Sequence, residues 1–460
     1  MNKLYISILL MIASLPLFAQ KDISVFEVAY AKAEKITGTK FDDYFFIKTE
    51  AQSSAYFYMI SPLGNMVDSF KTLGDIVLLG STFNGDEIRF YFTWNGKNGI
   101  HSVSFSKERK KFEHYKKITD DLHYVGVAYK EKNFFVLTFD KKDEKLQVSK
   151  VAGDSLFLMN EFAIEDKDLV KYFKKKKFSF ISDEQETSLD SATNQNKVYF
   201  QNGNIILISD SWESKEVAET KIIALNLAEN LIAIENLVLP YDNKTEHNSF
   251  LFKDKLYVLG IDRIILGLNI YDFPSLEKVS EHRYLKGVPV AFKASDLIDD
   301  DKNWDKEWQG KWSDKAIAEE ILRRLNKGVP VIIVSKADSV NNRLLIGRCV
   351  LPEIITVSSQ SMPLTPGGAT IATTTGAGIF GPKTTPPEKA HFYGYLNNKD
   401  YSVPSALNYK EHGSFNRASR RLNKISKDTA IGGSSVISSL DGGYLIYLNK
   451  KSRNVVLEKL

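Results

Sequence analysis

The sequence predicts an all-β fold assembled from repeated antiparallel hairpins, and three observations carry that reading. Five segments share one grammar: "GDEIRFYFTWN", "EKNFFVLTFD", "NGNIILISD", "KDKLYVLGID" and "DGGYLIYLN" each pass from a polar or glycine turn through an apolar, aromatic run to Asp or Asn. Each follows another short strand-like run, as in "HYVGVAYK", "KVYFQ" and "SFLF", so the unit reads as a tight hairpin. Polar strands such as "EKLQVSKV" and "SLEKVSEH" come after several of them. Three or four strands per unit, repeating about every 45 to 50 residues where nothing intervenes, describe a repeat architecture.

The chain opens with "MNKLYISILLMIASLPLFAQ". Lys3 precedes an apolar run from Leu4 to about Leu17, and Ala19 offers a small residue at a cleavage position. This pattern predicts a signal peptide over residues 1–19 and a mature chain from about Gln20, because the apolar core is short and no stop-transfer charges follow. No later window has the roughly 18 uninterrupted apolar residues of a spanning helix. The expected location is therefore the periplasm or the exterior. Cys349 is the only cysteine, so no intramolecular disulfide forms even in an oxidising compartment. It lies in the apolar run "RLLIGRCVLP" and is expected to be a buried, inert thiol.

Over roughly residues 40–350, and again over 434–460, the repeated hairpins resemble those of β-propeller repeat proteins. The resemblance is one of fold grammar: no WD dipeptide, Asp-box or kelch double glycine is present where a blade signature would require it. It implies an irregular propeller of about seven blades, a single domain over 20–460 with insertions near 294–328 and 358–434. A series of β-sandwiches is the competing architecture, disfavoured because the hairpins recur without a linker. Propellers host enzymes, binders and scaffolds alike, so the fold names no function.

The first insertion holds a strong helix signal, "SDKAIAEEILRRLNKG". Ser313 is an N-cap, Asp314, Glu319 and Glu320 come early, Arg323, Arg324 and Lys327 come late, and Gly328 supplies a stop. Ile317, Ile321, Leu322 and Leu325 fall on one face, which predicts a helix laid over an apolar patch of the β body. Just upstream, Trp304, Trp308 and Trp312 recur at every fourth residue. Such rings either pin the insertion or present flat apolar faces to a sugar or a protein partner. Asp299, Asp301, Asn303 and Asp305 alternate as in a calcium loop, but Trp304 stands where the turn glycine belongs and Gly310 where the bidentate Glu belongs. No metal is expected.

The second insertion contains "GAGIFG", Gly376 to Gly381, with the spacing of a dinucleotide loop. Pro382 follows the third glycine and Pro386-Pro387 come soon after, so the helix whose N-terminus would face a pyrophosphate cannot continue. No cofactor is expected. Downstream, Arg417, Arg420 and Arg421 form a basic cluster that suits either a solvated face or an acidic surface.

The charge balance, 61 basic against 57 acidic residues for a net of +4, is too small to imply nucleic-acid binding. The seven histidines are scattered and no G-x-S-x-G elbow occurs. Asp140, Asp210 and Asp262 each end a repeated strand and are the carboxylates able to converge in a propeller funnel; turn chemistry is their alternative role. Two functions follow. One is a non-catalytic exported protein that binds an envelope protein or a glycan. The other is a saccharide-acting hydrolase or lyase using funnel carboxylates.

Overall fold

The computed structural model describes residues 22–27 and, some loops apart, 35–350, then 388–404, 421, 425, 431–439, 442–449 and 452–459. The expected signal peptide, Trp304, Arg417, Arg420 and the "GAGIFG" motif lie outside the described residues. Two compact units are present: Met1–Leu239 with Leu251–Lys253 and Asn408–Leu460, and Pro240–Phe250 with Asp254–Leu407.

Strand β1 is Asp22–Glu27. Strands β2 to β5 are Lys35–Phe41, Tyr44–Ala51, Ser54–Ile60 and Met66–Leu73. Strands β6 to β9 are Ile76–Asn84, Glu87–Trp94, Ile100–Ser106 and Lys111–Thr119. Strands β10 to β13 are Tyr124–Lys130, Asn133–Asp140, Lys145–Ala152 and Ser155–Ala163, followed by helix α1, Lys167–Phe173. Strands β14 to β18 are Ser179–Phe180, Asn196–Gln201, Asn204–Ser209, Val217–Asn226 and Leu231–Asp242. Strands β19 to β22 are Glu246–Phe252, Lys255–Ile261, Ile265–Asp272 and Lys278–Leu285. Two short strands, β23 (Ile298–Asp299) and β24 (Lys302–Asn303), precede helix α2, Asp314–Leu325. Strands β25 to β27 are Val329–Lys336, Asn341–Val350 and Glu388–Asn397, and β28 to β30 are Ile431–Ser439, Gly442–Asn449 and Asn454–Lys459.

In most sheets neighbours in sequence are neighbours in space, as the hairpin grammar predicts. Tight turns make this possible. Between β15 and β16, Gln201 pairs with Asn204, leaving Asn202 and Gly203 at the corner with φ of 52° and 79°. An Asn-Gly pair at positive φ matches the twist of the strands it joins.

In the first unit the sheets pack face to face in chain order. Phe46, Phe57 and Met59 of the β2–β5 sheet meet Ile88, Phe90 and Phe92 of the next. Tyr91 and Ile100 then meet Val127, Phe134 and Val136 of the third, and Val125, Leu137 and Val148 meet Val198, Ile205 and Leu207 of the fourth. The opposite face of the first sheet, with Phe45, Ile47 and Tyr58, packs on Tyr444, Ile446 and Val455 near the C-terminus. Middle strands are therefore buried on both faces, which is why they read as nearly continuous apolar runs. Strand β1 completes the last sheet, in the order β1-β30-β29-β28, with Phe26 opposite Val455. Sequential four-stranded sheets joined by a terminal strand are the blade organisation of a β-propeller, the fold class expected.

The second unit carries most of the β19–β22 sheet and a sheet ordered β24-β23-β27-β26-β25. Asn248 Nδ2 donates to the Pro330 carbonyl at 2.8 Å and Asn342 Nδ2 to Tyr257 Oη at 3.1 Å, tying the two sheets together. Helix α2 starts at the predicted cap: Ser313 Oγ accepts from Ala316 N at 3.3 Å. It ends at Leu325 with Asn326 as C-cap, before Gly328. Helix α1 was not foreseen. Its seven residues are too few to show periodicity, yet Asp166 caps it by accepting from the amides of Asp168 and Leu169. Cys349 is fully buried, as expected. Among the described residues no helix is long and apolar enough to cross a membrane.

One contact tests the sheet packing directly. Gly80 sits at a register shift in β6, and a Cβ there would collide with the Cε2 edge of the Phe134 ring, which stacks on Tyr91 at 5.0 Å. Gly80→Ala is expected to lower the urea-unfolding free energy by about 1–3 kcal/mol, the usual cost of overpacking, and Phe134→Leu in the same chain to recover part of it.

Candidate functional site

The three strand-end aspartates have separate structural duties. Asp140 Oδ1 accepts from the backbone amides of Lys142 at 2.9 Å and Asp143 at 3.2 Å, closing the β11–β12 turn. Those amides, Asp143 first, hold its carboxyl below the usual range. Asp262 does the same for the turn before β21, accepting from Ile264 N at 2.7 Å and Ile265 N at 2.9 Å, while its other oxygen takes Thr245 Oγ1 at 3.0 Å.

Asp210 is different, being fully buried. Its Oδ2 lies 3.1 Å from Lys197 Nζ, both side chains having 0% exposure, and its Oδ1 accepts from Thr220 Oγ1 at 2.8 Å. Burial pulls the Lys197 pKa down and the facing carboxylate pushes back. Alongside, the Tyr172 hydroxyl of α1 shares hydrogen bonds with Asn196, Ser209 and Ser211, 2.7 Å from Ser211 Oγ. Among the described residues no group of three or more His, Cys, Asp or Glu side chains is placed to hold a metal ion.

The tryptophan segment builds the second candidate site, within the second unit. One helical turn, closed by Trp312 N donating to the Trp308 carbonyl at 3.2 Å, lays the two indoles on each other with centroids 5.4 Å apart and planes 5° from parallel. Trp308 is buried at 4% exposure, whereas Trp312 keeps 47%. The Arg324 guanidinium of α2 lies 5.5 Å from the Trp308 ring centre. Arg324 is itself anchored by Asp299 and by Glu320 Oε1, 2.9 Å from its Nε. Asp299 also receives Arg348 Nη2 at 3.0 Å. Both oxygens of the would-be calcium ligand Asp299 thus face arginines.

Asp299 and Arg324 have other roles in the sequence reading, and Arg348 has none there; it is 2% exposed within the apolar stretch 344–350 of β26. The signal available is that cation inside "LLIGRCV". Arg421 of the basic cluster turns inward: its Nε donates to Glu458 Oε1 of β30 at 2.7 Å, so it ties the chain to its last strand.

Two measurements follow from these geometries. Lys197→Met leaves the buried Asp210 charge without its cation and is expected to cost about 3–5 kcal/mol of unfolding free energy. Lys197→Met combined with Asp210→Asn should cost much less by the same assay. Second, hydrogen bonding from Arg323 holds the Glu320 carboxyl below the usual carboxylate range. The folded value lies below the unfolded one, about 4.3, so this stabilisation is complete above that pH and is lost as pH falls through the folded value. Glu320→Gln should flatten the acid limb of a Tm-against-pH profile.

No family model and no curated protein matches the chain. Solved structures similar to it include BamB from Moraxella catarrhalis, at 7% identity and TM-score 0.34, covering 95% of this chain and 99% of that one. Hydrazine synthase from Kuenenia stuttgartiensis is similar at 10% identity and TM-score 0.38, covering 95% and 97%. The Dos1 propeller is similar at 8% identity and TM-score 0.31, covering 58% and 76%. The fold class rests on strand order and register rather than on these likenesses.

Proposed function

We propose that this chain is an exported, non-catalytic binding protein of the cell envelope, one propeller-like domain over 20–460, that docks a protein partner on the outer strand β13. The carrying observation is a run of exposed large apolar residues on that strand: Phe157, Leu158 and Met159 have 55%, 54% and 56% exposure. A strand with one solvent face would alternate. Here the register shifts so that Asn160 faces Val148 and Leu158 faces Ser149, leaving Met159 as an extra residue.

Among the described residues β13 is the last strand of its sheet and no strand pairs with its outer edge, which suits pairing as well. Asn160 Nδ2 donates to the Leu227 carbonyl at 2.9 Å, next to β18, where Leu231, Ile234 and Val238 are also exposed. Consecutive exposed apolar side chains on an edge strand suit a partner that adds a strand and buries alternate side chains. Non-catalytic is the favoured reading because Asp140 and Asp262 close turns and Asp210 is locked to Lys197. Export rests on the N-terminal pattern.

The test is site-specific photo-cross-linking from position 157 in intact cells. The expected outcome is an adduct with one envelope protein, identified by mass spectrometry, that disappears in a Leu158→Thr/Met159→Ser background with unchanged Tm. Adducts that persist in that background would overturn the docking strand. N-terminal sequencing of the exported chain should begin near Gln20; a retained Met1 would overturn the exported assignment.

A further inference from the structure

Beyond protein docking, we propose that the Trp308–Trp312 stack is a saccharide-binding platform, with Trp312 offering its outer face to the C–H face of a hexopyranose ring. Trp312 has one face covered by a parallel indole and still exposes 47% of its surface, so the exposed part is the opposite face and its rim. Parallel stacking fixes the ring plane. The backing is layered: Trp308 is buried, Arg324 sits against it, and Asp299 and Glu320 hold Arg324. A ring whose orientation is already fixed loses little freedom when a ligand stacks on it.

The surroundings select the ligand class. The residues flanking Trp312 in the chain, Lys311, Ser313, Asp314 and Lys315, are all exposed and polar. An apolar rim, which a protein hot spot uses to exclude water, is therefore not formed by these neighbours. A pyranose matches both features at once: its C–H groups carry partial positive charge toward the negative π-face, and its hydroxyls meet lysine and aspartate in water. A planar cation is the other natural guest for an indole face. Two lysines against one aspartate disfavour it, and Arg324 already occupies the cation position on Trp308. The mount is rigid, because Ser313 caps α2 and Ile321, Leu322 and Leu325 anchor that helix in the unit.

Saturation-transfer NMR on the mature chain with cellotetraose, chitotetraose and mannotetraose tests the platform, with calorimetry for affinity. At least one sugar is expected to bind, with transfer concentrated on the protons of one ring face. Trp312→Ala should weaken that binding about tenfold or more, Trp312→Phe should restore part of it, and both variants should keep the wild-type Tm because the ring is peripheral. Absence of transfer from all three sugars at about 10 mM, roughly the weak limit of specific binding, would overturn the proposal. So would binding unchanged in Trp312→Ala. If Trp312→Ala instead removes the protein adduct at position 157 while every sugar fails, the stack belongs to a protein interface and the saccharide assignment falls.

Discussion

Burial of the middle strands on both faces is the constraint on which the first unit depends. A four-stranded sheet with one wet face would need neighbours on one side only, and its strands would alternate. Here Phe45 and Ile47 serve one neighbouring sheet while Phe46 serves the other. A sheet with both faces apolar is unstable alone, so the first sheet needs both the second and the last. The pairing of β1 with β30 meets that need by drawing the final sheet's fourth strand from the start of the chain.

The same constraint decides where polar groups go. Inside such a stack an ionised side chain has to bring its counter-ion with it, and Lys197 with Asp210, Asp299 with Arg348, and Glu458 with Arg421 do so. Two of these pairs join segments far apart in the sequence, so they specify pairing as much as they stabilise it. The strand-end aspartates are likewise engaged, Asp140 and Asp262 by backbone amides in turns and Asp210 by a buried cation.

Exposed apolar surface is left to the outermost strands and the connecting segments, where burial makes no demand. β13 exposes three consecutive apolar side chains because a bulge breaks the alternation that would have turned one of them inward. The segment before α2 exposes one indole because its partner indole is stacked beneath it and clamped by Arg324. The two features differ in chemistry, one an apolar edge of the first unit and the other an aromatic face among polar residues in the second, which is why they are assigned different ligands.

Much of this was legible in the chain. The turn-plus-apolar-run grammar, the Asn-Gly corner and the Ser313 cap determine hairpins and α2 locally, since each depends only on residues a few positions apart. The every-fourth spacing of Trp308 and Trp312 likewise implied a shared face if the segment turned. Which aspartates are buried could not be read, because Asp140 and Asp210 end similar runs and differ in whether a lysine of the paired strand faces them. Nor could the exposure of Phe157 to Met159, whose apolar run looks like core until the bulge and the strand's edge position are seen. Local residue patterns account for the hairpins and α2; which charged groups are committed and which apolar ones are exposed was settled only by tertiary contacts, because no local pattern encodes what packs against a strand or a strand end.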